Sequence, residues 1–541
     1  MAPPTLRIII TLALFVHGAG HTLGCWMPAR SWLLPGVNEP APRVSSDGGA
    51  VGAPEGNYYQ TIKYLPAPLP VFDEAKTRLP APIFDENSDY IACYWKTWEL
   101  AFQHFRQPAS TSRFVSNYID EGFNEGLFLW DSSFMTMFCN YGYPIVPGIC
   151  TLDNFYCSQL PDGEIVREMD ELTGEPRTPW SRPGTPDSLN HPILAWAELE
   201  SYRITGDRTR LARVYPPLVS YYRAYEKIKD RETGFYRTSW ASMDNSPRNE
   251  GMLCGIDTTS EVAAFARDLA VVARILGKKK AAAAFSKEAD ELAARINEKL
   301  WDEETGFYYD WSAEGNMQEA KTIAAFWTLR AGVPDKERAA RLVDHLNDPA
   351  EFKRAHRVPT VPADQPGYDP TGGYWCGAVW SPTTMMVVRG LERYGYAAQA
   401  REIALNHLSN VARVFKDTGT IWENYAPDSI MRGNPSSPDF VGWSGIAPTA
   451  FFIEYGIGIK ADAASNAITW TVTSPKRVGI ERFRFGGNTV SLICAEADVN
   501  GKRAITITSE KPFVLKIGWN GKQMKIRVPG NAGGRAPYYI Q

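Results

Sequence analysis

The feature that most limits the fold of this chain is a spaced repeat. "DELTGEP" (170–176), "DRETGFY" (230–236) and "DEETGFY" (302–308) recur about sixty to seventy residues apart, with "DPTGGYW" (369–375) and "DTGTIWE" (417–423) as looser relatives. Such a period suits one helical hairpin plus its loops, and self-similarity at a fixed period is the mark of a repeat architecture. Between the repeats, apolar residues return at steps of three and four, as in Leu211, Val214, Tyr215 and Leu218. The spacing predicts helices over 187–204, 207–229, 257–276, 279–300, 336–346, 376–395 and 397–414. Six hairpins of an inner and an outer helix close into an (α/α)6 toroid; an open superhelix requires shorter repeats and shorter loops.

The flanks read differently. A lone Arg7, then "IIITLALFV" and small residues, predicts a signal segment over 1–25, too short for a comfortable membrane span. "HTLGC" loosely resembles a lipoprotein cleavage site, which makes Cys25 a candidate for lipidation, membrane attachment and a periplasmic or extracellular location. The Pro/Gly/Ser-rich stretch that follows predicts an extended tether over 26–87, ahead of a helical barrel over 88–460. After "GWSGIAPTAFFIEYGIGI" the pattern changes to alternating, β-branched segments between Gly, Asn and Pro turns, which predicts a small antiparallel β domain over 461–541. The expected fold is mainly α with that C-terminal β domain. Eight cysteines show neither CxxC nor zinc spacing, so no metal is expected; Cys139, Cys150 and Cys157 are either free thiols or disulfide candidates.

A net charge of -4 without a basic block argues against nucleic acid as a partner. A buried core accounts for most of the aromatic residues, but many of the seventeen tryptophans lie in Gly/Pro-rich loops, where a core role is less natural. Three loops gather carboxylates beside such rings. In "EGLFLWDSSFM" (125–135), Asp131 follows Trp130, and either caps a helix or faces a pocket. In "SWASMDNSPRNE" (239–250), Trp240, Asp244, Asn245 and Arg248 sit on a stretch that Pro247 keeps out of a helix interior. In "GTIWENYAPDSIMRG" (419–433), Glu423 lies between Trp422 and Asn424–Tyr425; partial desolvation by the aromatics raises a carboxyl pKa and suits base chemistry. Glycoside hydrolysis needs one carboxyl to protonate the leaving oxygen and a second acting across the ring. Loops from distant hairpins converge at one end of a toroid, so Asp244 and Glu423 could face each other there.

These motifs, in this order, resemble glycoside hydrolase family 63 with its mannosylglycerate hydrolase, glucosylglycerate hydrolase and, more distantly, trehalase relatives. The resemblance covers about 90–460 and is carried by "FLWDSSF" (128–134), "SMDNSPR" (242–248), "GGYWCGAVWSP" (372–382), "WENYAP" (422–427) and "GWSGIAP" (442–448). It implies an inverting, exo-acting α-glycosidase of α-glucosyl or α-mannosyl type that needs no cofactor. Asp244 becomes the general acid and Glu423 the general base. Phe128, Trp130, Asp131, Asn190, Trp240, Asn245, Arg248, Tyr374, Trp375, Trp380, Trp422 and Trp443 become substrate-binding residues. Two departures stand out. The family's Gln-Pro-Pro element is replaced by "SLNHP" (188–192), which brings Asn190 and His191 to the substrate, and only a tether stands where larger members carry a β-sandwich. The competing readings are a non-catalytic glycan-binding lipoprotein and a polysaccharide lyase on the same scaffold; the latter wants an Arg/Lys-dense loop that is not seen.

Overall fold

A computed structural model describes residues 56–175, 177, 191–238, 243–439, 442–531 and 537–540. The expected signal segment, Cys25, Asn190 and Trp240 lie outside the described residues. The helices are α1 (Phe72–Lys76), α2 (Ser88–Gln103), α3 (Leu129–Cys139), α4 (Thr151–Cys157), α5 (Leu194–Thr205) and α6 (Arg208–Ala224). They continue with α7 (Ile256–Ile275), α8 (Lys279–Lys299), α9 (Trp327–Ala331), α10 (Lys336–Asn347), α11 (Ser381–Arg393) and α12 (Ala397–Thr418). A π-type helix, Ala447–Ile457, ends the helical region.

Two classes of helix follow from sequence pattern. Along α8 the buried residues Ala281, Ala282, Phe285, Ala289, Ala293 and Ile296 make one stripe, and the lysines and glutamates face water. In α3, and nearly so in α7, burial runs all the way round. The buried helices form a ring: α3 packs on α5, α5 on α7, α7 on α9 and α9 on α11. Helix α11 then packs on the turn Trp443–Ile446, which returns to α3. Close approach within the ring has a local cause at Gly390 of α11, where a Cβ would sit 2.8 Å from Cβ of Leu329.

The repeat that marked the sequence is a turn. The Asp170, Asp230 and Asp302 side chains each accept the Thr hydroxyl three residues on, and their carbonyls accept the N–H of Gly174, Gly234 and Gly306. Each glycine has positive φ (76°, 73° and 68°), a conformation that strains other residues. The last two turns reverse the chain after α6 and after α8.

Three boundaries differ from expectation. Helix α5 begins at Leu194, not 187, because Pro192 biases the residue before it away from helix. Helix α11 begins at Ser381, after a short turn at Tyr374–Cys376, so the "376–395" helix is two pieces. The residues from 56 onward are no tether: Ala81–Phe84 is a strand paired antiparallel with Val478–Phe485.

That strand belongs to a five-stranded sheet with Val478–Phe485, Asn488–Cys494, Arg503–Ser509 and Tyr538–Ile540. A four-stranded sheet holds Ile459–Asp462, Ala467–Thr471, Phe513–Trp519 and Lys522–Val528. The pairing of Ala467–Thr471 with Phe513–Trp519 is parallel, contrary to the all-antiparallel expectation. The chain leaves the second sheet after Thr471, builds three strands of the first, and returns in the same direction, as a parallel crossover must.

At the end of the ring nearest this β region, Glu454 is buried and bonds Arg389 at 2.7 and 2.9 Å and Arg203 at 2.6 Å. Glu200 joins through Arg389, and Tyr141 donates to Glu454. Each charge is paired several times over, which a buried ion requires.

Candidate active site

The other end of the ring gathers the starts of the buried helices. Trp130 and Asp131 open α3, His191 precedes α5, Trp380 precedes α11, and Trp443 opens the last turn. The rings are neighbours: Trp130 lies 5.9 Å from Trp443, 6.4 Å from Trp375 and 6.4 Å from His191. Trp130, Trp375 and Trp443 are buried and form a packed cluster of rings instead of an open platform. The Trp130 indole N–H has no hydrogen-bond partner among the described residues.

Glu423 is held tightly in this setting. Its Oε1 accepts from the Tyr374 hydroxyl at 3.0 Å, and its Oε2 accepts from the Ser437 backbone N–H at 3.0 Å. Its carbonyl accepts from the Trp443 indole at 3.1 Å. Burial raises its pKa, while the Ser437 and Tyr374 donors pull it back toward the ionised form. Tyr374 follows Gly373 with both residues left-handed, φ 63° and 52°; for a tyrosine that backbone is strained.

Asp244 sits in a turn, with Ser246 N–H bonding the Met243 carbonyl at 3.1 Å. Asn249 clamps that turn, donating to the carbonyls of Met243 and Asp244 at 2.8 and 3.2 Å. Solvent reaches Asp244, but protein crowds its other sides; this desolvation, offset by Arg167 and reinforced by Glu423, raises its pKa to about 6. Asp131 is buried, and desolvation pushes it up to about 8, with Asp244 and Glu423 adding like-charge repulsion and Arg167 opposing it. Three carboxyls thus feel one another in one place, and all three hold protons more tightly than in water.

Asn245 ties the two candidate catalytic loops together. Its Nδ2 donates to the Gly373 carbonyl at 2.9 Å and its Oδ1 accepts from Trp375 N–H at 2.9 Å. Asp244 therefore connects through Asn245 and the 373–375 turn to Tyr374, and from its hydroxyl to Glu423.

Two expected ligand contacts, Arg248 and Trp380, are structural. Arg248 is fully buried, its guanidinium spread over Asp257 (2.5 and 2.9 Å) and Asp310 (2.7 Å, with a second bond). It anchors the Asp244 loop to the start of α7 and does not reach a ligand. Trp380 is fully buried and stacks on Trp375 with centroids 4.1 Å apart, so it backs the wall. Trp422 lies under the Arg432 guanidinium at 4.7 Å and donates to Thr418. Phe128 stacks on Phe123 at 5.4 Å and is half-buried.

Two groups escaped the sequence reading. The Arg167 carbonyl accepts from Leu129 N–H at 2.9 Å, which sets Arg167 beside the start of α3, where its charge acts on Asp131 and Asp244. Glu121 is buried, accepts from Phe128 N–H at 2.8 Å, and is held well above the usual carboxyl range by burial and by Asp131. Neither stands in a motif; both come from the loops around residues 120 and 167 that only the fold brings to α3. His191, flagged by its departure from the family pattern, is buried beside Trp130 and bonded through Nδ1 to Glu261. The described cysteines from Cys93 to Cys494, including Cys139, Cys150 and Cys157, are free thiols.

The family model for the mannosylglycerate hydrolase MGH1-like glycoside hydrolase domain matches residues 151–440. An uncharacterized Borreliella burgdorferi protein is 27% identical over 470 residues, 83% of this chain and 96% of its own. A mannosylglycerate hydrolase of Rubrobacter radiotolerans is 32% identical over 182 residues, 33% of this chain and 39% of its own. The crystal structure of a GH63 mannosylglycerate hydrolase from Thermus thermophilus in complex with glucose superposes with TM-score 0.52 at 21% identity, covering 66% of this chain and 98% of that one. The matched domain spans more than half of the chain, and the chain therefore belongs to the mannosylglycerate hydrolase MGH1-like glycoside hydrolase family.

Proposed function

We propose that the chain is an inverting, exo-acting α-glycosidase that cleaves a small α-glycoside or the non-reducing end of an oligosaccharide, and that its ring of buried helices is a closed (α/α)6 toroid. The observation that carries this is the chain of bonds from the Asp244 loop through Asn245 and the 373–375 turn to Tyr374 and Glu423, beside the Trp130, Trp375 and Trp443 rings, which we read as the pit that takes the sugar. Asp244, raised to about 6, holds a proton for the glycosidic oxygen. Glu423, kept ionisable by Tyr374 and Ser437, draws a proton from water on the opposite face of the sugar. Asp131 binds hydroxyls, and Trp130, Trp375 and Trp443 enclose one ring, as suits a chain end. The names of the relatives favour an α-mannosyl or α-glucosyl group. Export through residues 1–25 belongs to the same reading, and N-terminal sequencing of the mature protein tests it.

A panel of aryl α-glycosides and α-linked glycosides, assayed by released sugar, tests the activity. Asp244→Asn is expected to lower turnover by about a hundredfold or more on substrates with sugar leaving groups, and less on nitrophenyl glycosides. Equal damage on both would make Asp244 a structural residue. Glu423→Ala is expected to lose most turnover with little change in binding.

A further inference from the structure

We propose that this protein has a second carbohydrate site, taking a single neutral hexose, at the end of α5 remote from the active-site pit. A cavity of about 220 Å³ lies there, between the segment around Tyr58 and the elements α4, α5 and α6. By helix rise the lining residues Ser201 and Thr205 stand roughly 10–17 Å beyond the first residue of α5, whose leading side borders the pit.

Three independent features point to a ligand. First, Ser201 lines the cavity and is 1% exposed, yet its hydroxyl has no hydrogen-bond partner. A buried hydroxyl is normally satisfied, so an unpartnered one in the cavity wall leaves hydrogen-bonding capacity unused there. Second, Tyr58 and Tyr143, at 36% and 37% exposed, are among the few large aromatics left open by the fold, and both line this cavity. Part-exposed tyrosine rings beside polar groups, with Arg213 over one face of Tyr58, match the mixed apolar and hydroxylated faces of a sugar. Third, the walls are pinned in place. Asn57 donates to the Tyr156 carbonyl at 2.7 Å, Gln60 donates to the Gln159 carbonyl at 2.7 Å, and the Tyr59 ring packs 5.2 Å from Tyr156.

Charge selects a neutral guest. Asp153 is paired with Arg210 at 2.9 Å, and Arg210 is saturated by Glu198 and the Ile149 carbonyl. Asp207 caps α6 with one oxygen, accepting from Arg210 N–H, and Arg213 lies over Tyr58 at 4.6 Å. An anion would meet Asp153 and Asp207, and a cation would meet Arg210 and Arg213. A hydroxylated ring can donate to Asp207 without adding charge, and the volume fits one hexose.

The test titrates D-glucose and D-mannose against the full chain by saturation-transfer difference NMR. Trp130→Ala removes binding in the pit, so sugar binding that persists in that variant reports the cavity. Adding Tyr58→Ala or Ser201→Leu to it is expected to weaken the remaining binding by at least about tenfold. Tyr58→Ala alone is expected to leave kcat/KM on an aryl glycoside within about twofold. Loss of all binding in Trp130→Ala, or persistence of the residual binding after Tyr58→Ala, overturns the proposal. If Ser201→Leu disturbs folding by its thermal melt, the surface change Tyr58→Ala decides alone. Because the decisive readout is binding outside the pit, a failure of the glycosidase reading leaves it interpretable.

Discussion

Asp244 and Asp131 carry the same side chain and meet different surroundings. Asp244 is reached by solvent and raised to about 6; an acid with that pKa is protonated below pH 6 and loses its proton above it. The free-enzyme profile of kcat/KM is therefore expected to fall as pH rises past about 6, and to fall on the acid side as Glu423 takes a proton. A profile still rising between pH 6 and 8 would contradict that role. Asp131, buried and raised to about 8, makes a claim about stability. Its folded pKa lies above the unfolded value of about 3.9, so its contribution is complete below the unfolded pKa and is lost as pH rises through 8. Asp131→Asn is expected to stabilise the fold by on the order of 1–3 kcal/mol at pH 9, with a smaller gap at pH 5; thermal melts at the two values check it.

At the scale of elements, the motif loops are held by partners far away in sequence. Arg248 reads in the sequence as a surface arginine beside an acid, but Asp310, 62 residues away, and Asp257 enclose it. Arg248→Met would strand two buried carboxylates and is expected to cost about 3–5 kcal/mol in denaturant melts. A substrate-binding arginine would instead raise KM and leave the melt unchanged. This limits what one sequence can tell. The Asp-x-x-Thr-Gly segments were legible as a repeat because the pattern lies within five residues, whereas the turn each one makes came only with the structure. The stripes of α8 and α12 were legible because helical periodicity is local. Arg248, Glu121 and Arg167 were not, since their roles depend on which loops meet. The start of α5 was misplaced because the apolar spacing continues across His191–Pro192, where backbone sterics override it.

For the whole molecule, consecutive buried helices bring their leading ends, with Trp130, Asp131, His191 and Trp443, together at one end, while Glu454 and its arginines fill the other. The mainly helical region and the strand-rich end were legible from a change in periodicity near residue 460. The parallel pairing of Ala467–Thr471 with Phe513–Trp519 and the strand from 81–84 were not, because register between distant segments leaves no local mark. The central claim is that Asp244 and Glu423 work across one sugar with water between Glu423 and the anomeric carbon. Proton NMR of the earliest product from an α-glycoside tests this most directly. The account predicts that the β-anomer signal appears first and the α-anomer grows in by mutarotation; an α-anomer released first would mean retention through a glycosyl-enzyme and would contradict it.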